Sequence, residues 1–333
     1  MKNLKTISRS EGLQLVSIRK GEKKLGEEVH FSGDYASIEN WPDQIRFVLI
    51  GIPEDFGPRA NGGRAGSQEM WEVFLSKFLN IQSNRFLSGS EIMIAGEVDC
   101  EEWKNKSDLS TEQLRSEVEA LDHKVVSVLK PIFAKGYLPI VIGGGHNNAY
   151  PIIKSWFEAK QQTISIINVD PHSDIRPQEG RHSGNGFSYA MHEHLISTYA
   201  VAGLHESYNS EYLLQQLDQN SNMSYFTYDA WLRGEFVLEE RLLELIRFGG
   251  NGFRGLEFDL DSVAGFPSSA MTESGFSVET ARKMIMYIGK NVDLAYAHFP
   301  EGAPCHSKED AGIHGKTLSY MVSDLMKVIN NKP

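Results

Sequence analysis

The sequence predicts an α/β fold with a mainly parallel central sheet covered by helices on both faces. Three observations predict it. Short apolar runs rich in β-branched residues recur along the chain, helical stretches separate several of them, and three of the runs stop at polar residues able to hold a metal. Strands joined through helices run parallel, and such sheets bind ligands beyond the carboxyl ends of their strands.

Residues 1–45 are polar and mixed, with the charge run "RKGEKKLGEE" at 19–28, and read as a solvated N-terminal extension, partly ordered against the body. The remainder, 46–333, reads as one catalytic domain, without an internal repeat or a linker. "QIRFVLIGIP" (44–53) is a buried strand closed by Gly and Pro. "MWEVFLSKFLN" (70–80) has helical spacing, and "EIMIAGEVD" (91–99) is the next strand. A long helix covers 110–136: Ser110 and Gln113 form a capping box, Gly136 suits its C-terminal end, and Pro131 is placed to kink its last turn. Strands follow in "YLPIVIGGG" (137–145), "TISIINVD" (163–170), "STYAVAG" (197–203), "GFRGLEFDLD" (252–261) and "VDLAYAHF" (292–299). Helices are expected over 277–291 and 315–330.

Composition narrows the function classes. With 333 residues, 41% hydrophobic and 23% charged, the chain suits a soluble globular protein with a sizeable core. A formal charge of −11 argues against a nucleic-acid partner, which needs a basic face. Cys100 and Cys305 stand far apart in no C-x-x-C spacing, which fits a reducing compartment and excludes a Cys-rich zinc site. The N-terminus has no signal-peptide pattern, and no stretch reaches the roughly 18 apolar residues of a membrane span. A cytoplasmic setting with no membrane partner is the expectation.

The polar strand ends carry the chemistry. "IVIGGGHNN" supplies His146, "IINVDPHSD" supplies Asp170, His172 and Asp174, and "LEFDLD" supplies Asp259 and Asp261. Alternate residues of an extended chain face one side, so each set should converge. Alone, a D-x-D is more often a solvated turn, and a His after glycines is more often structural. At one end of one sheet, the three sets point to a metal site. Six such ligands exceed the four of a structural zinc. An oxygen-rich set with some imidazole suits Mn2+, and four Asp charges would neutralise two divalent ions. A pair of ions roughly 3.5–4 Å apart acidifies a water, which implies metal-assisted hydrolysis.

In this order the motifs resemble those of the ureohydrolase (arginase/agmatinase/formiminoglutamase) family. "GGGHNN" is similar to its GGDH or GGGH motif, "DPHSD" to its DAHxD motif and "EFDLD" to its SxDxD motif. "GIPEDFGPRANGGRAGSQEMW" (51–71) is similar to the family's strand end and N-x-G-R-x-G-A loop, and "FPEGAP" (299–304) to its E-x-N-P element. The resemblance runs from about residue 45 to the end. It implies a three-layer α/β/α sandwich and a homo-oligomer. His146, Asp170, His172, Asp174, Asp259 and Asp261 would bind two Mn2+ or another divalent metal. Asp174 would also accept a hydrogen bond from the bridging hydroxide, and Glu301 would hold the planar cationic end of the substrate.

Departures from the family pattern bear on the substrate. Gly145 replaces the Asp of GGDH, a change seen in the formiminoglutamase branch. "HSGNGFSYA" (182–190) keeps the S-G-N of arginases in Ser183, Gly184 and Asn185, which would read the far end of the substrate. Phe187 stands where arginases place a proton-shuttling His, so His182 is the candidate shuttle. Arg176 and Arg181 could meet substrate carboxylates, although both could equally be solvated loop arginines. "DLDSVAGFPSSAMTESGFS" lacks the family's later D-P and A-P-G, which leaves the neighbouring loop's geometry open.

The implied activity is hydrolysis of linear amidine or guanidine C–N bonds. A formiminoglutamase releasing glutamate and formamide fits best, and an arginase or agmatinase releasing urea is the alternative. An inactive, metal-binding or regulatory homologue is the reading from another class.

Overall fold

The structure is a computed structural model that describes residues 2–103, 108–307 and 310–332. Ten strands form one sheet: β1 (Leu4–Lys5), β2 (His30–Phe31), β3 (Phe47–Gly51), β4 (Ile92–Val98), β5 (Leu138–Ile142), β6 (Ile164–Val169), β7 (Ile196–Leu204), β8 (Met223–Thr227), β9 (Phe253–Phe258) and β10 (Asp293–Phe299). Their order across the sheet is β1-β4-β3-β5-β10-β9-β6-β7-β8, with β2 also pairing β4. Every pairing is parallel except that of β1 with β4.

Pleat alternation feeds two cores. Phe47 and Leu49 of β3 enter one apolar cluster, and Val48 and Ile50 enter the other. On the first face pack the helices Met70–Phe78, Leu238–Phe248, Val278–Asn291 and Ala311–Asn330. On the second pack Thr111–Ala134 and Ala149–Lys160. The result is the three-layer sandwich expected from the alternation.

Local signals explain the element ends. The Ser110 side chain accepts from the backbone N–H of Gln113, and Gln113 reaches back to Ser110, as the capping box requires. Gly136 lies beyond this helix at φ 83°, a conformation that glycine adopts without cost from a Cβ. Strand β8 was not apparent in the sequence. Its run "MSYFT" is half-buried at the sheet edge and carries one fully apolar contact residue, Phe226.

One expectation is corrected in part. Residues 1–45 are ordered against the body, as expected, but are not solvated throughout: β1 and β2 pair with β4, and Leu25, Val29, Phe31, Ile38, Trp41 and Ile45 are buried in the two cores. These apolar residues stand singly among polar residues, glycine and proline, so no window of the sequence reads as apolar although each side chain is covered. Phe31→Ala should therefore cost about 3–5 kcal/mol, the usual loss for a large aromatic in a packed core. Chemical denaturation would measure it, and a loss below about 1 kcal/mol would mean that the segment is only loosely attached.

Candidate metal centre and substrate pocket

Strands β5, β10, β9 and β6 are consecutive neighbours in the middle of the sheet. Their carboxyl ends therefore deliver His146, Glu301, Asp259 with Asp261, and Asp170 to Asp174 into one crevice, although these residues are spread over 155 positions of sequence. Beyond strand ends the chain turns sharply. Strands β6 and β9 stop at Val169 and Phe258, so the ligand candidates do not continue the pleat. They converge through Asx-type turns: Asp170 Oδ1 accepts from His172 N at 2.7 Å, and Asp259 Oδ1 accepts from Asp261 N at 2.7 Å.

His146 sits at the centre, 1% exposed. Its Nδ1 lies 3.1 Å from Asp170 Oδ2, 3.0 Å from Asp174 Oδ2 and 3.0 Å from Asp259 Oδ2. One ligand atom from each of these four residues falls within 4.8 Å of the others, the spacing of a shared ion. His172 and Asp261 form the adjoining half: His172 Nδ1 is 3.5 Å from Asp170 Oδ1 and 3.8 Å from Asp261 Oδ2.

Electrostatics show that this donor set suits divalent cations. Burial, then the negative charge of Asp170, raises the pKa of Asp174; burial, then Asp261, raises that of Asp259 well above its ordinary value. Burial alone would lower the pKa of His146, yet hydrogen bonding to Asp170, Asp174 and Asp259 drives it well upward. His172 is likewise pushed to about 10, with burial opposing and Asp170 prevailing. Protons and imidazolium charge thus compensate the carboxylates, a task that bound divalent ions perform with better geometry.

Glu301 completes the floor. It adopts φ 69°, and Asp174 adopts φ 49°, so two non-glycine residues of the site hold the left-handed conformation. Glu301 Oε1 accepts from His146 N at 2.7 Å, while its buried Oε2 has no hydrogen-bond partner among the described residues. Burial and then the charge of Asp261 raise its pKa to about 8.

Above this floor opens a pocket of about 300 Å³ lined by His172, Asp174, Arg176, Ser183, Tyr208, Asp259, Asp261 and Glu301, together with Gly62, Gly63, Ser269 and Ala270. Tyr208 stacks on His172 at 5.4 Å between ring centroids. The loop after Asp261 is anchored, because Ala270 N donates to Asp261 Oδ1 at 3.3 Å and Ser268 pairs with Gly302. The departure from the family's D-P and A-P-G thus leaves a formed pocket wall. A larger groove of about 1030 Å³, between the N-terminal segment and the Ala311–Asn330 helix, contains none of these residues.

Residues 45–317 match the arginase family model. The chain belongs to the arginase family. Among curated relatives of this arginase-family chain, the formimidoylglutamase of Streptococcus pyogenes is 23% identical over 290 residues, covering 83% of this chain and 84% of the relative. The formimidoylglutamase of Macrococcus caseolyticus is 28% identical over 172 residues, 51% of this chain and 50% of that protein. In fold the chain is similar to the formiminoglutamase of Trypanosoma cruzi solved with Mn2+, at a TM-score of 0.74 and 22% identity over 94% of this chain and 100% of that one. The formimidoylglutamase of Bacillus subtilis superposes with a TM-score of 0.78 at 16% identity, covering 95% of each chain.

Within this arginase-family frame, three sequence expectations are corrected. Arg181 does not face the pocket. It is 1% exposed, with Nε and Nη2 on the two Asp122 carboxylate oxygens at 2.8 and 3.2 Å and its guanidinium between the Tyr150 and Tyr189 rings. Asn185 turns away from the pocket: its Oδ1 accepts from Arg181 and His182 N, and its Nδ2 donates to the carbonyls of Pro177 and Gly180. His182 is not a free shuttle. Its Nδ1 accepts from Gly184 N at 3.1 Å, its Nε2 meets Glu179 at 3.2 Å, and burial followed by the charges of Arg176 and Arg115 lowers its pKa to about 4. The physical reason is shared: the 177–185 loop folds inward and uses its polar side chains to satisfy its own backbone. Arg176 and Ser183 do line the pocket.

The change of GGDH to GGGH has a steric cause here. A Cβ on Gly145 would lie 2.2 Å from Pro58 Cδ and 2.4 Å from Asn147 Oδ1, so this position has no room for Asp. Sequence reasoning missed Glu54, which holds the loop: Oε1 accepts from Gly145 N and Asn148 Nδ2, both at 2.6 Å, and Oε2 from Phe56 N at 2.7 Å. It also missed Glu257 and His298, buried behind His146. Glu257 could have been found, because it precedes Asp259 by two in "EFDLD".

Two outcomes follow from these contacts. Arg181→Ala should destabilise the fold by about 3–5 kcal/mol by stranding the Asp122 charge, as chemical denaturation would show. In the metal-free protein, Glu301 (about 8) and His172 (about 10) keep protons in the folded state that the unfolded chain releases from about pH 4.3 and 6.5 upward. The folded state thus binds more protons, and stability falls as pH rises. The Tm in chelator should drop between pH 6 and pH 9, with Mn2+ raising it more at pH 8 than at pH 6. A flat or rising metal-free profile would contradict these assignments.

Proposed function

We propose that this chain is a binuclear-manganese hydrolase of linear amidine C–N bonds that converts formimidoylglutamate and water to glutamate and formamide. The observation that carries the reading is the geometry of one pocket. Four of the metal-type residues, His172, Asp174, Asp259 and Asp261, line its floor with Glu301; His146 and Asp170 lie buried against them, and a cationic side chain, Arg176, stands at its rim. The names of the S. pyogenes and B. subtilis relatives support the same substrate.

His146, Asp170, Asp174 and Asp259 would hold one ion, and His172 and Asp261 beside them would complete the site for a second, with Mn2+ or a divalent ion of similar preference suited to the oxygen-rich donors. When bound, the ions supply an acidified water and positive charge for the developing oxyanion. The protein's own groups place the substrate against that water. Glu301 is held rigidly through Oε1 and presents Oε2 to the amidinium N–H groups, a planar charge-assisted contact. Asp174, held by its left-handed backbone, would accept a hydrogen bond from that water.

Arg176 sets the length of the substrate. It donates to Asn61 Oδ1 at 2.5 Å and Glu179 Oε1 at 2.8 Å, which leaves N–H donors of its fork free for a substrate carboxylate. Agmatine has no carboxylate to meet it. Ser183 Oγ, which accepts from Asn61 Nδ2 at 3.3 Å, retains its own O–H for the same end of the substrate. Among the described residues no helix is long and apolar enough to cross a membrane. A cytoplasmic homo-oligomer is part of the same proposal, and the formal charge of −11 supports only the expectation of no nucleic-acid partner.

Product analysis tests the reading. The Mn2+-loaded protein should release formamide from formimidoylglutamate and no urea from arginine or agmatine; urea from either would overturn the substrate. Arg176→Gln should raise KM about 10–100-fold, the loss of a charged hydrogen-bonded contact, with kcat changed little. Asp259→Ala should abolish both Mn2+ binding and turnover, and retention of two metals at full rate would remove the ligand assignment.

A further inference from the structure

Behind the His146 ring, on the side away from the aspartates, lies a second polar group that the hydrolytic reading leaves unused. Glu257, Tyr296 and His298 are all 0% exposed. Glu257 Oε2 faces His146 Nε2 at 3.4 Å and His298 Nδ1 at 2.7 Å, and Tyr296 donates its O–H to Glu257 Oε1 at 2.7 Å. His298 Nε2 in turn faces the carbonyl of Gly143 at 3.4 Å, in the loop that leads to His146. A carboxylate buried this deeply is costly unless its neighbours engage it. Here each oxygen has a partner, and Oε2 also lies 3.4 Å from His146 Nε2, which has no hydrogen-bond partner among the described residues.

The arrangement is built on rigid backbone. Glu257 of β9 pairs in register with His298 of β10 on one side and Asn168 of β6 on the other, and Tyr296 projects from the same face two residues earlier. We propose that Glu257 is a positioning residue for the metal centre, held by Tyr296 and His298, that takes the Nε2–H of His146 and leaves Nδ1 as the lone-pair donor to the ion. This inference rests on the metal-binding reading above. An imidazole has two ring nitrogens, and a ligand is competent only when the other nitrogen carries the proton. A carboxylate behind the ring both selects that form and increases the basicity of the coordinating nitrogen. Glu257 is not itself a ligand, because the His146 ring stands between it and the aspartate oxygens around Nδ1. Glu257 is the carboxylate beside the otherwise unpartnered Nε2, and a hydrogen bond there needs the ring to turn into line with Oε2 and close by about half an ångström.

The test uses the full-length, metal-free protein, with Mn2+ titrated in calorimetrically and the Tm recorded in chelator. Glu257→Gln, which keeps the shape and loses the charge, should weaken Mn2+ binding about 10–100-fold while the metal-free protein stays folded. Glu257→Asp, which keeps the charge in a shorter side chain, should retain more affinity than Gln. A space-filling role predicts the reverse order, and finding Gln equal to wild type with Asp weaker would overturn the proposal. Should Glu257→Gln fail to fold, Tyr296→Phe removes only the O–H to Oε1; it should lower Mn2+ affinity, and unchanged affinity would overturn the positioning role. Wild type that takes up no Mn2+ would remove the metal reading and this inference with it. Normal uptake by wild type and by both variants would remove this inference alone.

Discussion

Four carboxylates crowd one buried imidazole, and much of the structure around them exists to hold that repulsive group in place. Asp170, Asp174 and Asp259 all approach His146 Nδ1 to within 3.1 Å, at the buried floor of the pocket. Like charges at this distance in a low-dielectric interior would scatter the loops that carry them. Two kinds of restraint oppose this. The first is the sheet, whose four central strands end at the same level. The second is a set of tight turns and left-handed residues that fixes the backbone carrying these carboxylates.

The loop carrying His146 is held from two sides. Glu54 gathers the N–H of Gly145 and the side chain of Asn148, while Glu301 takes the N–H of His146 itself. Two acids thus act as acceptors for backbone donors at a turn that no secondary structure satisfies. The three glycines before His146 fit the same purpose. Gly143 and Gly144 hold positive φ, and Gly145 touches Pro58 where a side chain would stand. Strain in the backbone and polarity in the interior are concentrated where the chemistry requires them, and the two apolar clusters on either face of the sheet offset the cost.

The 176–185 loop divides its polar residues between scaffold and pocket. Arg181 is spent on Asp122 and two tyrosine rings, Asn185 on the loop's own carbonyls, and His182 on Gly184 and Glu179. Only Arg176 and Ser183 reach the pocket. With Phe187 packed edge-on against His146 and His182 withdrawn, the site keeps no histidine in the loop that faces the far end of the substrate.

The fold class and the candidate metal ligands were legible in the sequence, because both rest on short-range patterns. Apolar runs alternating with helical stretches imply a covered parallel sheet. An Asp, His or D-x-D directly after such a run places a ligand at a strand end, whatever lies elsewhere. Tertiary structure alone decided which strand ends meet. Nothing in the order of the chain says that β10 and β9 insert between β5 and β6. That order makes one centre of residues up to 155 positions apart. It also decided which of two neighbouring arginines is scaffold and which faces solvent, since Arg176 and Arg181 differ only in the partners that folding supplies. The burial of the apolar residues within 1–45 was equally beyond sequence reading. Apolar residues set singly among polar ones carry no periodic signal, and become a core only when the edge of β4 receives them.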